Sequence, residues 1–338
     1  MTRKVFVTGT AGFIGFHLAR HLLDEGFSVV GFDGLTDYYD VTLKKKRHAI
    51  LGQNPRFQAH IGMLEDFGFL SECVQEATPD VIVHLAAQAG VRYSLENPRA
   101  YIDTNLTGTF NLMETAREAG IDHLLIASTS SVYGGNKQMP FDETQATDLP
   151  LTLYAATKKA NEAMAHSYAH LWNIPTTMFR FFTVFGTYGR PDLALFKFVR
   201  AALAGEAIDV YNHGEMARDF TYVDDLVHSI RLLIDKAPPG TNARDTQIPG
   251  DSLSPVAPFR VVNIGNGQSV PLMTFIREIE KALGQPIEKN MMEMQKGDVP
   301  ATWANTDLLE ALTGYRPNTP VEAGIRKFVD WYREYYQV

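Results

Sequence analysis

Three glycines spaced three apart limit the folding of this 338-residue chain more tightly than any other feature. They lie in Thr8-Gly9-Thr10-Ala11-Gly12-Phe13-Ile14-Gly15, where a short β-branched run gives way to a helical pattern. G-x-x-G-x-x-G at a strand-to-helix junction is a spacing variant of the dinucleotide fingerprint. Gly9 permits the tight turn, Gly12 lets the backbone approach a pyrophosphate, and Gly15 lets helix pack on strand. The helix that opens with Phe13 and Ile14 then offers free N–H groups and a positive dipole end to phosphates. Asp33 ends the second apolar run, 18 residues past Gly15, where a carboxylate reaches both ribose hydroxyls. Gly34-Leu35-Thr36 follow, with no adjacent arginine for a 2′-phosphate, which favours NAD over NADP.

The first half alternates such runs with helix-length amphipathic stretches. Strands are expected at Lys4–Thr8, Ser28–Asp33, Arg56–His60, Val81–Leu85, Leu124–Ser128 and Thr176–Phe181. Helices are expected at Gly12–Glu25, Tyr39–Leu51, Phe67–Glu76, Pro98–Ala119 and Tyr154–Trp172. Near-continuously apolar strands separated by helices predict an α/β fold: a doubly wound parallel Rossmann sheet with its ligand crevice at the strands' C-terminal edge. The pattern loosens after Gly186, and residues 186–338 read as a smaller C-terminal α/β substrate lobe beside a nucleotide domain of residues 1–185, with segments free to cross between them. In that lobe helices are expected at Leu195–Ala204, Val223–Asp235, Leu272–Leu283 and Val321–Tyr336, and strands at Ile208–Tyr211, Arg260–Ile264 and Ile287–Met292. Ala237–Pro258, with five prolines, reads as an exposed insertion.

A net charge of −8 leaves no basic surface for nucleic acid, so any anionic substrate must meet positive charge concentrated in a site. Cys73 is the only cysteine, no signal-peptide core follows Met1, and no run approaches the length of a membrane helix. The chain reads as cytosolic, with neither nucleic-acid nor membrane partners. The ten histidines show no metal-ligand spacing; His17 and His21 sit four apart, but without a third ligand such a pair is structural. Hence no metal is expected. His84 reads as a packing or hydrogen-bonding residue, Met291–Met294 as core filling, and Trp331-Tyr332 with Tyr335-Tyr336 as a core-facing stripe. Lys44-Lys45-Lys46-Arg47 read as a solvated helix face, with one side chain within reach of a phosphate as the alternative.

Tyr154-Ala155-Ala156-Thr157-Lys158 opens a long helical stretch, and residues four apart share a face. A free phenol has a pKa near 10 and is a poor base at neutral pH. A neighbouring ammonium, together with a positively charged nicotinamide, brings it toward the working range.

These segments resemble the extended short-chain dehydrogenase family. Thr8–Gly15, His84-Leu85-Ala86-Ala87, Asn105-Leu106-Thr107-Gly108-Thr109, Ser128–Gly134 and the Tyr154/Lys158 pair carry the resemblance. Arg218-Asp219-Phe220-Thr221-Tyr222-Val223-Asp224-Asp225 and Gly297-Asp298-Val299 extend it into the C-terminal half, and it is specific for nucleotide-sugar epimerases, dehydratases and decarboxylases. The resemblance implies acid–base work by Tyr154 and Lys158, a sugar hydroxyl held by Thr129 or Ser130, and tightly bound NAD regenerated in each cycle. It implies cofactor contacts at Gly9, Gly12, Phe13, Ile14, Gly15, Asp33, Leu64, Leu85, Ala86, Ala87, Gln88, Asn105, Tyr154 and Lys158. For the UDP portion it implies Arg218 on the diphosphate and Asp298 on the uridine ribose. A second arginine, common just before that aspartate, is replaced by Gln295-Lys296. Met63 stands where an adenine-binding aspartate is common, leaving adenine to packing and backbone groups. A homodimer, built from Pro98–Ala119 and Tyr154–Trp172, is also implied.

Within the family, dehydratases carry an Asp-Glu pair before Val-Tyr-Gly, and UDP-glucuronate decarboxylases carry Glu at the position of Ser131. Ser128-Thr129-Ser130-Ser131-Val132-Tyr133-Gly134 has neither, which leaves epimerisation at C4. Val184–Asp192, Asp37-Tyr38-Tyr39-Asp40 and Gln88–Ser94, including Arg92, resemble UDP-glucuronate 4-epimerases. A C6 carboxylate wants a cation or convergent donors, and Arg190 with Thr183 and Ser130 can provide them, with Ser131 a further substrate contact. Holding that carboxylate protects a 4-keto intermediate, a β-keto acid, from losing carbon dioxide. Two alternatives stay open: a 4-epimerase of neutral or N-acetylated UDP-hexoses, with Arg190 a structural arginine beside a turn, and a non-catalytic NAD-sensing scaffold.

Overall fold

The computed structural model describes residues 3–240 and 248–338. Six strands of the first half are β1 (Lys4–Thr8), β2 (Ser28–Asp33), β3 (Phe57–Ile61), β4 (Val81–His84), β5 (His123–Thr129) and β6 (Thr176–Phe181). With the later strand Phe259–Ile264 they make one parallel sheet, ordered Phe259–Ile264, β6, β5, β4, β1, β2, β3. Side chains alternate across β1: Val5 and Val7 join one apolar core, and Phe6 joins the other. Covered on both faces, the central strands have to be apolar throughout, which is what their sequences show. Strand order reverses between β1 and β4, and such a switch point opens a crevice at the strand ends.

Local chemistry sets the helices of this half. Asp40 caps α2 (Val41–Leu51), accepting from the Thr42 amide at 2.8 Å, and Asp66 caps α3 (Phe67–Ala77) through the Phe69 amide at 3.1 Å. By contrast α1 (Phe13–Asp24) starts at Gly12 with no side-chain cap, so its first N–H groups are left to the crevice.

The C-terminal half builds three small sheets. Thr183–Phe185 pairs with Phe220–Tyr222, Ile208–Tyr211 pairs with Lys289–Met292, and Ala217–Arg218 lies between Val270–Pro271 and Ala301–Thr302. Two buried carboxylates tie these pieces together. Asp219, fully buried, accepts from the Asn266, Gly267 and Ala304 amides at 2.7, 2.9 and 3.1 Å. Asp225 accepts from the Tyr315 hydroxyl at 2.9 Å and the Thr319 amide at 2.8 Å. Asp219 and Asp225 of the Arg218–Asp225 segment are therefore loop organisers, and from that segment Arg218 and Phe220 line the crevice. Trp331 and Tyr332 pack in the core as expected, against Phe196 and Phe328.

Five sequence expectations change. Phe259–Ile264 is the edge strand of the main sheet and not part of the small lobe; all six of its residues are buried. Pro98–Ala119 is not one α-helix: a π-helical segment, Tyr101–Gly108, precedes the helix Thr109–Ala119. Asn105 in that segment is held by the Gln88 backbone, and Gly108 passes so close that an added Cβ would lie 2.6 Å from that of Leu64. Met291, Met292 and Met294 are exposed, because Lys289–Met292 is an edge strand with one partner. Residues 241–247 of the expected insertion lie outside the described residues. Its later part docks on the sheet edge, with Asp251 on Arg260 at 2.9 Å and Ser254 and Ala257 buried. Finally, Lys44 and Arg47 are buried, not solvated.

Candidate active site

A cavity of about 880 Å³ runs from the glycine turn, past the ends of β4 and β5, to the small sheets of the C-terminal half. Gly9, at φ +82°, turns the chain so closely against β4 that an added Cβ would sit 2.8 Å from the Ala86 nitrogen. At Gly15 it would meet the Gly9 carbonyl oxygen at 2.0 Å, so helix and turn can pack only without a side chain there. Asp33 accepts from the Ala11 and Leu35 amides at 2.9 and 2.8 Å, which aims its carboxylate along the rim while leaving lone pairs free. Gly9, Gly12, Phe13, Ile14, Gly15, Asp33 and Leu64 all line this end, as do Leu85, Ala86, Ala87 and Gln88 beyond β4. Thr8 ties that loop down by accepting from the Leu85 and Ala86 amides at 3.1 and 3.0 Å.

Asn105 is buried and does not line the cavity; its amide bonds the Gln88 nitrogen at 2.8 Å and the Gln88 carbonyl at 3.0 Å, so it positions the loop. His84 bridges Thr8 and Thr109 at 2.8 and 3.1 Å, and burial takes its imidazole down to about 3, a neutral linker and no base.

Thr152 caps the helix Leu153–Trp172, accepting from Ala155 at 3.2 Å, so Tyr154 falls in the first turn with Lys158 one turn on. Both line the cavity with Thr129, Ser130 and Ser131. The geometry differs from a simple phenol–ammonium pair. Lys158 donates to the Ala127 carbonyl at 2.9 Å, and burial pulls its ammonium down to about 8. Burial pushes the Tyr154 phenol up, against the Thr129 hydroxyl and the field of Arg190, which pull it down. Arg190 is thus one cation whose field favours the phenolate. Thr129 also orients the Ser131 amide and hydroxyl, each at 3.2 Å, forming the turn after β5.

Behind that turn lies a buried ion pair. Arg180 grips Glu162 with two bonds of 2.9 Å and lies 4.7 Å above the Tyr133 ring, while Ser128 donates to Glu162 at 2.6 Å.

Thr183 and Arg190 line the sugar end, but the Arg190 fork is occupied: it holds Asp192 at 3.0 and 2.5 Å, and Tyr38 donates to the same carboxylate at 3.3 Å. The expected bidentate grasp of a substrate carboxylate is therefore not on offer, and only Nη1 stays outside the pair. Arg92 and Asp298, expected as separate substrate contacts, meet each other at 3.1 Å across the cavity. Arg92 also lies 4.5 Å over the Tyr211 ring. Arg218 donates to the Ala217 and Pro300 carbonyls at 2.9 and 3.1 Å.

Sequence reasoning missed Lys44 and Arg47. Lys44 lines the cavity near Asp33, donating to the Thr36 carbonyl at 2.6 Å. Arg47, fully buried and without an ion-pair partner among the described residues, joins the Ala11 carbonyl to the Tyr188 carbonyl, both at 2.7 Å, and so links the glycine turn to the loop that carries Arg190. A signal existed: Leu43, Arg47 and Leu51 recur every four residues, a buried stripe.

Residues 5–248 match the NAD dependent epimerase/dehydratase family, and the chain belongs to it. Several similar proteins are named UDP-glucuronate 4-epimerases. A probable UDP-glucuronate 4-epimerase of Rhizobium meliloti (strain 1021) is 58% identical, over 99% of this chain and 98% of that protein. UDP-glucuronate 4-epimerase 2 of Arabidopsis thaliana is 42% identical, over 99% of this chain and 76% of that protein. Among solved structures, UDP-glucuronic acid 4-epimerase from Bacillus cereus, in complex with UDP-glucuronic acid and NAD, superposes with a TM-score of 0.87. It is 30% identical, covering 98% of this chain and all of that one. No helix among the described residues is long and apolar enough to cross a membrane.

Proposed function

We propose that the protein interconverts UDP-glucuronate and UDP-galacturonate by NAD-dependent epimerisation at C4. The observation that carries this reading is one cavity holding an uncapped, glycine-lined helix N-terminus at one end and Tyr154, Thr129 and Arg190 converging at the other. The residues fit NAD: the turn accepts no Cβ at Gly9 or Gly15, α1 presents unsatisfied N–H groups for a pyrophosphate, and Asp33 faces the ribose position. NAD, when bound, supplies the acceptor and donor of the C4 hydride. Tyr154 takes the O4 proton and later returns it, and Thr129 and Ser130 orient the sugar hydroxyl. Lys158, fixed on the Ala127 carbonyl, presents its ammonium to the cofactor side of the same cleft. Arg218 and Arg92 supply the positive charge for the diphosphate, with Asp298 exchanging Arg92 for a ribose hydroxyl.

Ser130, Ser131, Thr183 and the spare Nη1 of Arg190 hold the C6 carboxylate, and no carboxylate side chain stands in Ser128–Tyr133 to drive elimination or decarboxylation. Identity of 58% to a protein named for this reaction supports the same substrate. A second reading, epimerisation of neutral UDP-hexoses, is favoured by the Arg190–Asp192 pair, which is what a structural arginine makes. Arg190→Ala separates the two: loss of its field at Tyr154 slows both sugars alike, and kcat/KM for UDP-glucuronate should fall about 10- to 100-fold further than that for UDP-glucose, the worth of a charged hydrogen bond. Equal losses on both sugars would favour the neutral-sugar reading.

We also infer a homodimer through the helices Thr109–Ala119 and Leu153–Trp172, which leave Phe110, Leu171 and Trp172 exposed. Light scattering should return twice the chain mass of 37.7 kDa; a monomer at all concentrations would contradict it.

A further inference from the structure

His17 and His21 share a face of α1, yet the structure separates their roles. His17 is buried with Nε2 2.8 Å from the Thr187 carbonyl. His21 is joined instead by Glu25, one turn along α1, and by His228 from the helix Val223–Ile234. Its Nε2 lies 3.2 Å from Glu25 Oε1 and 3.5 Å from His228 Nδ1, and all three atoms fall within 4.8 Å of one another.

We propose that His21, Glu25 and His228 form a binding site for a divalent transition-metal ion of the zinc class, which staples α1 to the helix Val223–Ile234. Ligand geometry supports the assignment. A tetrahedral ion with nitrogen and oxygen donors at about 2.0–2.1 Å keeps its ligand atoms about 3.3–3.4 Å apart. The two contacts centred on His21 bracket that separation. Two imidazoles and one carboxylate select zinc, cobalt or nickel over calcium or magnesium, which want oxygen. Three protein ligands leave a fourth position for water, and partial exposure of His21 and Glu25 gives an ion its entry path.

The surroundings hold these ligands in place. Arg231 Nε grips the other oxygen of Glu25 at 2.5 Å, turning Oε1 toward the imidazoles, and its charge is shared with Asp235, bonded to Nη1 at 2.5 Å. The Tyr315 ring meets the His228 ring edge-on, with centroids 4.6 Å apart. None of the three residues lines the active-site cavity, so the staple acts on stability and not on turnover.

The test uses full-length, tag-free protein stripped with a chelator, then titrated with Zn²⁺ by calorimetry and with Co²⁺ by absorption spectroscopy. One ion should bind per chain, Co²⁺ should give visible bands of a low-coordinate nitrogen/oxygen site, and excess Zn²⁺ should raise the unfolding midpoint by several degrees. H21Q and H228Q should each weaken binding by at least about 10-fold and abolish the Zn²⁺-dependent rise, while leaving metal-free epimerase activity unchanged. Absence of a bound ion would overturn the proposal. So would binding of unchanged affinity and spectrum in both variants.

Discussion

Tyr154→Phe is expected to lower turnover of UDP-glucuronate by about 10³-fold, within the range for loss of a positioned general acid–base. Removing the hydroxyl leaves the ring edge-on to Tyr101, with centroids 6.0 Å apart, so the cavity wall keeps its shape. Substrate affinity and cofactor content should change little, and that split separates a chemical role from a structural one. The physical demand on this residue is severe. Burial pushes the phenol pKa up, while Thr129 and Arg190 work in the opposite direction. Activation of Tyr154 therefore falls in the ternary complex, where a cationic nicotinamide adds to the field of Arg190. Single-turnover rates across pH, for wild type and variant, check this. Wild-type rates in Tyr154→Phe would assign the proton transfer to another group.

The largest stability effect is expected at Arg180. Its pair with Glu162 is nearly solvent-free, at 3% and 4% side-chain exposure, and removing one partner strands the other charge in the interior. Arg180→Met should cost about 3–5 kcal/mol, a midpoint lowered by roughly 10 °C, whereas the double variant with Glu162→Met should recover most of the loss. The pH dependence has a definite sign. Burial alone would raise the Glu162 carboxyl, but the Arg180 fork and charge, aided by Ser128 and Lys159, hold it below its ordinary value. Its contribution is then complete above the unfolded value and lost as pH falls through the lowered one. Without Arg180, burial prevails and the folded value rises above about 4.3, so stability is instead lost as pH rises through that window. The gap in midpoint between variant and wild type should accordingly be wider near pH 7 than near pH 5. Glu143, pushed up to about 7 by burial, loses the lowering field of Arg180 in the variant, so its carboxyl shifts further up and widens the gap toward pH 7 in the same sense. A gap independent of pH, or a double variant no more stable than the single, would contradict this.

Local signals made the nucleotide end of the site legible. Gly9 and Gly15 are glycine because backbone atoms lie where a Cβ would stand, and the strand-to-helix junction advertises that in sequence. The apolar runs of β1, β4 and β5 are continuous because both sheet faces are covered, which fixed the fold class. What remained hidden depended on partners distant in sequence or on ions in unusual places. Phe259–Ile264 carries no mark of which sheet it joins, since an apolar strand suits either lobe. Arg92 and Asp298, 206 residues apart, each looked like a substrate contact, and only the fold brings them together. Arg190 and Asp192 are two residues apart, yet nothing in that spacing shows that a turn will fold one onto the other. Arg47 sat in a run of four basic residues, which conceals a cation anchored in the core by carbonyls. The exposed Met291, Met292 and Met294 mislead for the opposite reason: an apolar cluster on an edge strand has only one side to bury.

Incubating the purified protein with UDP-glucuronate, without added NAD, and resolving products by anion exchange and mass tests the central claim most directly. The account predicts a UDP-galacturonate peak of unchanged mass, formed by NAD carried through purification in the glycine-lined end of the cavity. A product lighter by carbon dioxide, or inertness toward UDP-glucuronate with turnover of UDP-glucose, would contradict it.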